Sequence, residues 1–232
     1  MTKKHTDSVA VLIASFKTFL EAYDQDCPFT RYGQLEYHVE TIRLRRRLGS
    51  AKAAIMDDSF QRALYKTLQA WGIGSRASRL RPFPDFVAAL RAKAATIEEL
   101  DGLAIDQPAL EVSTVGNTLA RLAQSLDIVD NKARIVPGSK ALHHLLPELV
   151  VPIDRAYTQQ FFQWANPTLQ NSPERCFKEA FNAFARIGCG ANPAQYVSQG
   201  WYTSRTKVID NAIVGLWCWV KAQVRANVQP GR

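Results

Sequence analysis

The sequence predicts an all-α fold, and three observations support this prediction. Apolar residues recur at spacings of three and four along most of the chain, as they do on one face of a helix. No segment shows the alternation typical of a strand, and no repeat, low-complexity tract or long linker interrupts the chain. The 232 residues are 47% hydrophobic and 22% charged, which is ordinary globular composition and excludes wholesale disorder. A chain of this length can bury enough surface to fold without a disulfide or a metal.

Each predicted helix begins or ends at a capping or breaking residue. Pro28 closes the first helix, Gly72-Ile73-Gly74 ends the third, and Pro84-Asp85 opens the fourth. Ser113 or Thr114 opens the next long helix. In chain order, helices are expected over about 9–23, 34–52, 60–71, 84–95, 113–126, 139–147, 154–164, 174–187 and 207–225, with a short one from residue 96.

The second helix carries a basic arc. At 100° per residue, Arg43, Arg46 and Arg47 lie roughly opposite the apolar stripe of that helix. The whole chain contains 29 Lys plus Arg against 21 Asp plus Glu, which gives a net charge of +8. Such an excess suits a polyanionic partner, although charge alone does not define a fold or a chemistry. We expect the basic arc to contact a nucleic-acid backbone.

Several classes of protein are excluded or disfavoured by simple patterns. The four cysteines form no C-x-x-C pair, which excludes a zinc ribbon or a cysteine-ligated iron–sulfur cluster. The longest apolar stretch, Ala212 to Val220, is far shorter than the roughly 20 residues that a membrane span needs. The N-terminus has no signal-like segment. We therefore expect a cytoplasmic protein with reduced thiols, no membrane association and no cofactor.

The densest candidate signal lies in residues 135–162. Val136-Pro137-Gly138 predicts a tight turn, with proline suited to the second position and glycine to a positive φ. Freed amides at Gly138, Ser139 and Lys140 would then converge at a helix start, where the helix dipole and the lysine charge attract a phosphate. The alternative is a helix–turn–helix corner packed in the core.

Asp154 follows the apolar run 149–153 and stands at the start of a predicted helix. Burial after that run would raise the pKa of its carboxyl group, whereas the helix amides would lower the pKa and keep the group ionised. An Asp at such a position is most often an N-cap. A capped Asp is also rigidly aimed, and both interpretations of Asp154 stay open.

This combination of motifs resembles the helix-hairpin-helix DNA glycosylase superfamily. A turn and helix containing Pro-Gly, then an apolar run, then V-P-x-D at a helix start follow one another as they do in that family. The resemblance covers about residues 55–165, and the upstream helices come in the family order. The chain departs from the pattern in three ways: the hairpin has one glycine instead of two, Lys140 and Asp154 are only 14 residues apart, and the cluster-binding cysteines are missing.

The resemblance implies a two-lobed, all-α body with a helix-hairpin-helix-like DNA-binding corner. Residues from about 55 to 150 would form a central, hairpin-containing lobe, and residues from about 1 to 54 together with 151–232 would form the second lobe. The implied function is a DNA glycosylase that flips and excises a modified or damaged base from duplex DNA. Both repair and defence against phage DNA with modified bases fit this activity. We expect a monomer whose partner is duplex DNA and which holds no metal or iron–sulfur cluster.

The resemblance also implies two catalytic residues. Asp154 matches the carboxylate that stabilises the developing oxocarbenium ion and positions the attacking water. Lys140 falls near the position of the lysine that forms a Schiff base in bifunctional members. A desolvated lysine can act as such a nucleophile. The alternative for Lys140 is a contact with a backbone phosphate, and lyase activity is left open.

Two residues fall where the family inserts a wedge into the duplex. Gln69 and Trp71 precede the turn at 72–76, and a planar or amide side chain can fill the gap left by an extruded base. The alternative for Trp71 is a place in the core. Arg76 and Arg79 follow the same turn and would contact phosphates, although short basic runs are often only solvated surface.

Three further residues are candidates for the base pocket. His143 and His144 are adjacent and point about 100° apart on a helix, and we therefore expect no metal site there. His143 would touch a phosphate or line the pocket beside Asp154, together with Tyr157. Trp201 lies in a predicted loop rich in aromatic and cationic residues, where it would stack on an exposed base. Packing is the alternative for Tyr157 and Trp201.

Two other functions stay open. One is a non-catalytic DNA-binding module on the same scaffold, which should tolerate the loss of Asp154. The other is a basic interaction protein or a toxin-like nuclease on an unrelated helical fold. Nuclease chemistry usually needs clustered metal-binding carboxylates, and the acidic residues are scattered apart from Asp57-Asp58 and Glu98-Glu99. This distribution disfavours the nuclease.

Overall fold

The chain folds into α-helices, as its hydrophobic periodicity predicts. A computed structural model describes residues 3–74 and 78–228. Within these two ranges no β-strand forms, and one antiparallel bridge joins Leu80 to Val129. The all-α prediction is confirmed. The helices are α1 (Lys3–Ala14), α2 (Phe16–Gln25), α3 (Gln34–Arg47), α4 (Ala51–Met56), α5 (Asp58–Ala70), α6 (Phe83–Arg91), α7 (Ala94–Glu98), α8 (Val112–Ser125), α9 (Ile135–Leu145), α10 (Thr158–Phe161), α11 (Asn166–Asn171), α12 (Pro173–Ala191) and α13 (Arg205–Val228), with a 3₁₀ helix at Pro193–Tyr196.

Two predicted helices are each divided in two. The N-terminal helix breaks at Ser15, between α1 and α2. The helix predicted over 34–52 ends early because Gly49 adopts a φ of 77°, in the left-handed region that glycine tolerates. Ser50 then caps α4 by accepting a hydrogen bond from the amide of Ala53 at 3.1 Å.

The tight turn predicted at 136–138 is wrong, because these residues form the first turn of α9. Proline is tolerated in a first helical turn, where its missing amide hydrogen has no intrahelical partner to lose. Gly138 is required by packing: a Cβ atom there would lie 2.3 Å from the backbone oxygen of Ala123 in α8. Its amide donates to the carbonyl of Arg134 at 2.8 Å. Gly138 and Ser139 are both buried, and their predicted role as phosphate contacts does not fit these positions.

Helix α9 is the central helix of the core. Ten of its eleven residues are buried, including one lysine and two histidines. It contacts α3, α5, α8 and α12. A helix enclosed by others buries its polar positions together with its apolar ones, which is why Lys140 and the histidines of α9 lie inside the protein.

The remaining packing is built from closely paired helices. Helix α13 packs along α2, and α8 packs against α12. Gly215 of α13 permits the first contact, since an added Cβ would lie 1.8 Å from the carbonyl oxygen of Phe19. Buried apolar residues from Val9 to Ile213 form one continuous core. The division of the chain into two lobes stays a prediction. Among the described residues, no helix is long and apolar enough to cross a bilayer.

Candidate active site

A small cavity lies between the C-terminal end of α5, the middle of α9 and the first turns of α13. Its volume is about 130 Å³. A protein cavity of about 150 Å³ accepts a benzene ring, and this one therefore has room for roughly one flat ring. Aromatic rings form part of its wall, and two lysines and two aspartates share the polar part. The lining residues are Phe29, Gln34, Trp71, Lys140, Pro152, Asp154, Trp201, Lys207 and Asp210.

Lys140 and Asp154 meet at this cavity. The ammonium group of Lys140 donates to the carbonyl oxygen of Trp71 at 3.1 Å and lies 3.5 Å from Oδ2 of Asp154. The same ammonium group lies 5.8 Å from the centroid of the Trp71 ring. The Lys140 side chain is 9% exposed and that of Asp154 is 27% exposed, and the carboxylate is therefore the more accessible partner. The structure brings together the two residues that the sequence predicts as catalytic.

The carboxylate of Asp154 is held by a backbone turn. Its Oδ1 accepts hydrogen bonds from the amides of Ala156 at 2.6 Å and Tyr157 at 3.3 Å. In return, the amide of Asp154 donates to the hydroxyl of Thr158 at 3.0 Å. The helix α10 begins only at Thr158, and Asp154 therefore caps the turn before the helix instead of the helix itself. This arrangement fixes Oδ1 and leaves Oδ2 directed at Lys140.

The apolar run before Asp154 is fastened to α9. The hydroxyl of Ser139 donates to the carbonyl of Val136 at 2.8 Å and accepts from the amide of Ile153 at 3.0 Å. Ser139 therefore satisfies a buried backbone amide beside the site, where an unpaired amide would be costly. These two bonds tie the segment before Asp154 to the helix that carries Lys140.

A second lysine reaches the cavity from α13, and the sequence analysis missed it. Lys207 is 1% exposed, and its ammonium group donates to Oδ2 of Asp210 at 2.7 Å and to Oδ1 of Asn211 at 2.6 Å. The same group lies 4.9 Å from the ring centroid of Trp201 and 5.4 Å from that of Phe29. The available signal is a lysine, an aspartate and an asparagine at i, i+3 and i+4, directly before the apolar stretch 212–220.

Asp210 shows how strongly this part of the cavity is desolvated. Burial raises the pKa of its carboxyl group, and the adjacent Lys207 opposes that shift. A fully paired buried charge is the condition under which lysine and aspartate can remain in an interior. Lys207 is therefore a fixed hydrogen-bond donor and cation in the cavity wall.

Three buried histidines lie behind the aromatic wall. His38 of α3 stacks on Trp201 with ring centroids 5.6 Å apart, and His143 stacks on Trp71 at 6.1 Å. His144 lies edge-on to Trp71 at 4.9 Å. Burial lowers the pKa of all three imidazoles, to about 4 for His144, and keeps them neutral. His143 therefore supports the wall from behind and does not line the cavity, contrary to the expectation.

Of the other predicted pocket residues, two line the cavity and one lies behind its wall. Trp71 and Trp201 both line the cavity, and the indole nitrogen of Trp71 donates to the carbonyl of Gln34 at 3.1 Å. Tyr157 is half-buried and packs edge-on against Phe29, with centroids 6.0 Å apart. It therefore stands one layer behind the wall.

A wider groove adjoins the cavity. It has a volume of about 750 Å³ and shares Trp71, Lys140 and Asp154 with the cavity. Lys132 and Arg155 lie in this groove and are exposed. Arg134 lies there too, paired with Asp127 at 2.6 Å. These basic residues were not among the predicted contacts, since they are scattered in the sequence and only the fold brings them together.

The predicted basic arc lies on the surface of α3, outside the cavity and the groove. Arg43, Arg46 and Arg47 are exposed on α3 and line neither the cavity nor the groove. Arg43 pairs with Glu40 at 2.7 Å. Arg46 donates to the carbonyl oxygen of Thr203 and lies 3.6 Å from Glu148.

The predicted wedge residue Gln69 does not line the cavity either. It is exposed and shares a separate surface cavity of about 560 Å³ with Arg79. Backbone pairing holds this region: the amide of Asp130 donates to the carbonyl of Arg79 at 2.9 Å. Arg76 lies outside the described residues.

The chain was compared with known protein families, curated proteins and solved structures. No protein-family model, no curated protein and no solved structure matches the chain. The resemblance to the helix-hairpin-helix glycosylases therefore rests on the sequence motifs alone.

Proposed function

We propose that the protein is a DNA glycosylase that draws one flipped base of duplex DNA into the cavity and cleaves its glycosidic bond. One observation carries the proposal: Lys140 and Asp154 stand where a cavity the size of one ring adjoins a larger groove with basic residues. A base-excising enzyme needs such a junction, because the base leaves the stack while the backbone stays on the surface.

The cavity wall suits a flat heterocycle. Trp71, Trp201 and Phe29 offer aromatic surfaces, and a flipped base is typically held by stacking between such side chains. The polar part of the wall offers donors and acceptors for the base edge, with Lys207 and Asp210 innermost by burial. A cavity with this volume excludes most of the water that would otherwise surround a bound base.

The groove suits the sugar-phosphate backbone. Lys132 and Arg155 supply exposed positive charge beside Asp154, and phosphate contacts of this kind position a protein on DNA without reading sequence. The net charge of +8 acts in the same direction over the whole surface.

The chemistry follows from the position of Asp154. When the bond between C1′ and the base nitrogen breaks, its electron pair leaves with the base and positive charge develops on the sugar. A fixed carboxylate beside the sugar stabilises that charge in the transition state more than in the ground state. Water then adds to C1′, and its proton passes to the carboxylate or to solvent. The departing base takes up a proton at its nitrogen.

Lys140 acts in this scheme as a positioned cation. Its ammonium group is held by the Trp71 carbonyl and by Asp154, and a charged amine is not a nucleophile. It orients Oδ2 of Asp154 and attracts a phosphate or the departing base. The same proposal includes four further properties of the protein: membership of the helix-hairpin-helix glycosylase superfamily, a two-lobed arrangement, a monomeric state and a cytoplasmic location.

Incubation with a panel of duplexes tests the proposal. Each duplex carries one oxidised, alkylated, mismatched or hypermodified base, and release of the free base and formation of an abasic site are measured. We expect release from at least one modified duplex and none from the unmodified duplex. Tight binding without release from any member of the panel would instead identify a non-catalytic DNA-binding module.

A further inference from the structure

Three imidazole rings converge in the core, although they come from distant parts of the sequence. His38 lies on α3, and His143 and His144 lie on α9. One nitrogen of each ring lies within 4.8 Å of one nitrogen of each of the others, and all three residues are fully buried. The sequence predicts no metal site because His143 and His144 are adjacent on one helix, whereas the fold brings His38 of α3 against that pair.

The outward-facing nitrogens of the rings are all hydrogen-bonded to oxygen. Nδ1 of His144 lies 2.7 Å from the carbonyl oxygen of Lys140, and Nδ1 of His143 lies 2.9 Å from that of Val150. A carbonyl oxygen can only accept, and both rings therefore carry their proton on Nδ1 and leave Nε2 as a lone pair. Nε2 of His38 lies 2.8 Å from the hydroxyl of Thr203, which can accept or donate.

Two of the three inward-facing nitrogens bond to each other, and the third has no partner among the described residues. Nδ1 of His38 lies 3.0 Å from Nε2 of His144, and because that Nε2 is a lone pair, Nδ1 of His38 carries the proton and donates it. Nε2 of His143 is buried, and no described residue offers it a hydrogen bond. A buried nitrogen lone pair without a donor is costly, and it needs a physical explanation.

We propose that His38, His143 and His144 form a binding site for a divalent transition-metal cation, with Zn²⁺ as the occupant. The protein ligands would be Nδ1 of His38 and Nε2 of the other two, and a water molecule would take the fourth tetrahedral position. Neutral imidazole is a preferred zinc ligand, and three histidines are an established zinc ligand set. Metal-bound histidines almost always donate their other ring N–H to an oxygen, and here each outer nitrogen already faces one.

The geometry requires the cluster to contract and its rings to turn, since the rings of His38 and His143 are inclined by only 13° with centroids 5.7 Å apart. Tetrahedral Zn–N bonds of about 2.0–2.1 Å place the ligand nitrogens about 3.3 Å apart. The His38–His144 separation of 3.0 Å is near this value, and the longest separation, which is at most 4.8 Å, must shorten. Upon binding, the proton of His38 moves from Nδ1 to Nε2, from which it is donated to the hydroxyl of Thr203. The nearby lysines are paired with Asp154 and Asp210, which offsets their repulsion of the cation.

The site lies behind the cavity wall, and its role is therefore structural. A bound ion would fix His38 and His143, on which Trp201 and Trp71 stack. The aromatic wall of the cavity would then be rigid before any ligand enters. This inference does not depend on the proposed glycosylase activity.

Metal content and titration of the tag-free protein test the site directly. The full chain is stripped with a chelator, dialysed and titrated with ZnCl₂ by calorimetry, and thermal unfolding is followed with and without zinc. We expect one zinc per chain and a higher Tm in zinc, since a ligand that binds only the folded state stabilises it. Substitution with Co²⁺ should give the visible bands of a tetrahedral ion with nitrogen ligands.

A matched pair of variants locates the ion. His143→Gln removes one ligand, and His5→Gln removes the fourth histidine of the sequence. We expect zinc affinity to fall by at least about 100-fold in the first variant, as loss of even an outer partner costs 10- to 100-fold, and to be unchanged in the second. Absence of zinc binding by wild type, or equal affinity in His143→Gln, would overturn the proposal. If His143→Gln does not fold by circular dichroism, the Co²⁺ spectrum of wild type decides: no tetrahedral bands, or the intense bands of thiolate ligation, would overturn it.

Discussion

Asp154 directs its two carboxylate oxygens to different partners, one of which is Lys140. Oδ1 accepts two backbone amides of the following turn, and Oδ2 lies 3.5 Å from the Lys140 ammonium group. The two residues are 14 positions apart, and this interval contains the end of α9 and the apolar run that returns to its side. The backbone amides hold Oδ1 whether or not the lysine is present, whereas Lys140 contacts only Oδ2. The two residues can therefore be tested separately.

Lys140→Gln should slow base release and leave the fold intact. The amide can still donate to the Trp71 carbonyl, whereas the positive charge beside Asp154 is lost. Loss of one preorganised charged group commonly costs on the order of 100-fold in rate. The measurement is single-turnover release of base from the most reactive duplex of the panel.

Borohydride trapping distinguishes a positioned cation from a nucleophile. With Lys140 held as an ammonium group, wild type should give no covalent adduct with DNA, and Lys140→Arg should retain more activity than Lys140→Gln because it keeps the charge. A trapped adduct that disappears in Lys140→Gln would show that the lysine attacks the sugar.

Charge reversal in the groove should weaken DNA binding. Lys132→Glu and Arg155→Glu each place a negative charge beside the predicted path of the backbone. Each change should reduce the slope of log affinity against log salt by about one, because fewer counterions are released. The measurement is the affinity for a duplex over a series of salt concentrations.

Arg43→Glu is the matched control for the two groove variants. Arg43 is a basic, exposed residue like Lys132 and Arg155, but it is paired with Glu40 and lies outside the groove. Arg79→Glu tests the neighbouring surface cavity that the sequence suggests as a contact. A larger effect of Arg43→Glu than of the groove variants would place the DNA on α3 instead.

Gly138→Ala should destabilise the protein through packing. The new Cβ would lie 2.3 Å from the Ala123 oxygen, and backbone atoms of two packed helices cannot yield easily. Overpacking of a core typically costs about 1–3 kcal/mol, and the free energy of unfolding in urea measures it. Gly188→Ala is the control, because its nearest atom would be 3.3 Å away. A Gly138→Ala protein of unchanged stability and weaker DNA binding would support the phosphate role instead.

The stability of the fold should depend on the protonation of two tyrosines. Burial raises the pKa of Tyr23 and of Tyr202 above the ordinary value, and the hydrogen bond from Tyr202 to Asp24 at 2.6 Å raises the latter further. A folded pKa above the unfolded value of about 10 gives full stability below pH 10 and loss of stability as the pH rises further.

Ultraviolet absorbance of the phenolate, recorded together with circular dichroism, checks this prediction. Fewer than the seven tyrosines of the chain should ionise before the helical signal is lost. Ionisation of all seven with the helical signal intact would show that these side chains are not buried in solution.

The sequence predicts the fold class and part of the candidate site, for identifiable reasons. Helical periodicity is a local property, and it correctly predicts the all-α class. Lys140 and Asp154 lie in one short motif, which is why they could be named together. The prediction of a tight turn at Val136-Pro137-Gly138 is wrong because proline and glycine suit both a β-turn and the first turn of a tightly packed helix. Gly138 is explained by Ala123, which the local sequence does not contain.

The rest of the site depends on long-range packing. Lys207 reaches the cavity from α13 and His38 packs behind its wall from α3, and no local pattern relates either residue to α9. A buried lysine in an apolar helix is identifiable from the sequence as unusual, but its partners in space are not. The basic residues of the groove were missed for the same reason.

The most direct test of the central claim is the rate of base release by Asp154→Asn. Asn can accept the same turn amides through its side-chain oxygen and caps about as well as Asp, and the fold and DNA affinity should therefore be nearly unchanged. The negative charge that stabilises the developing cation is lost. In single-turnover assays on the duplex that wild type cleaves fastest, we predict a fall on the order of 100-fold or more. Release within about threefold of wild type would show that Asp154 only caps its turn and would contradict the glycosylase account.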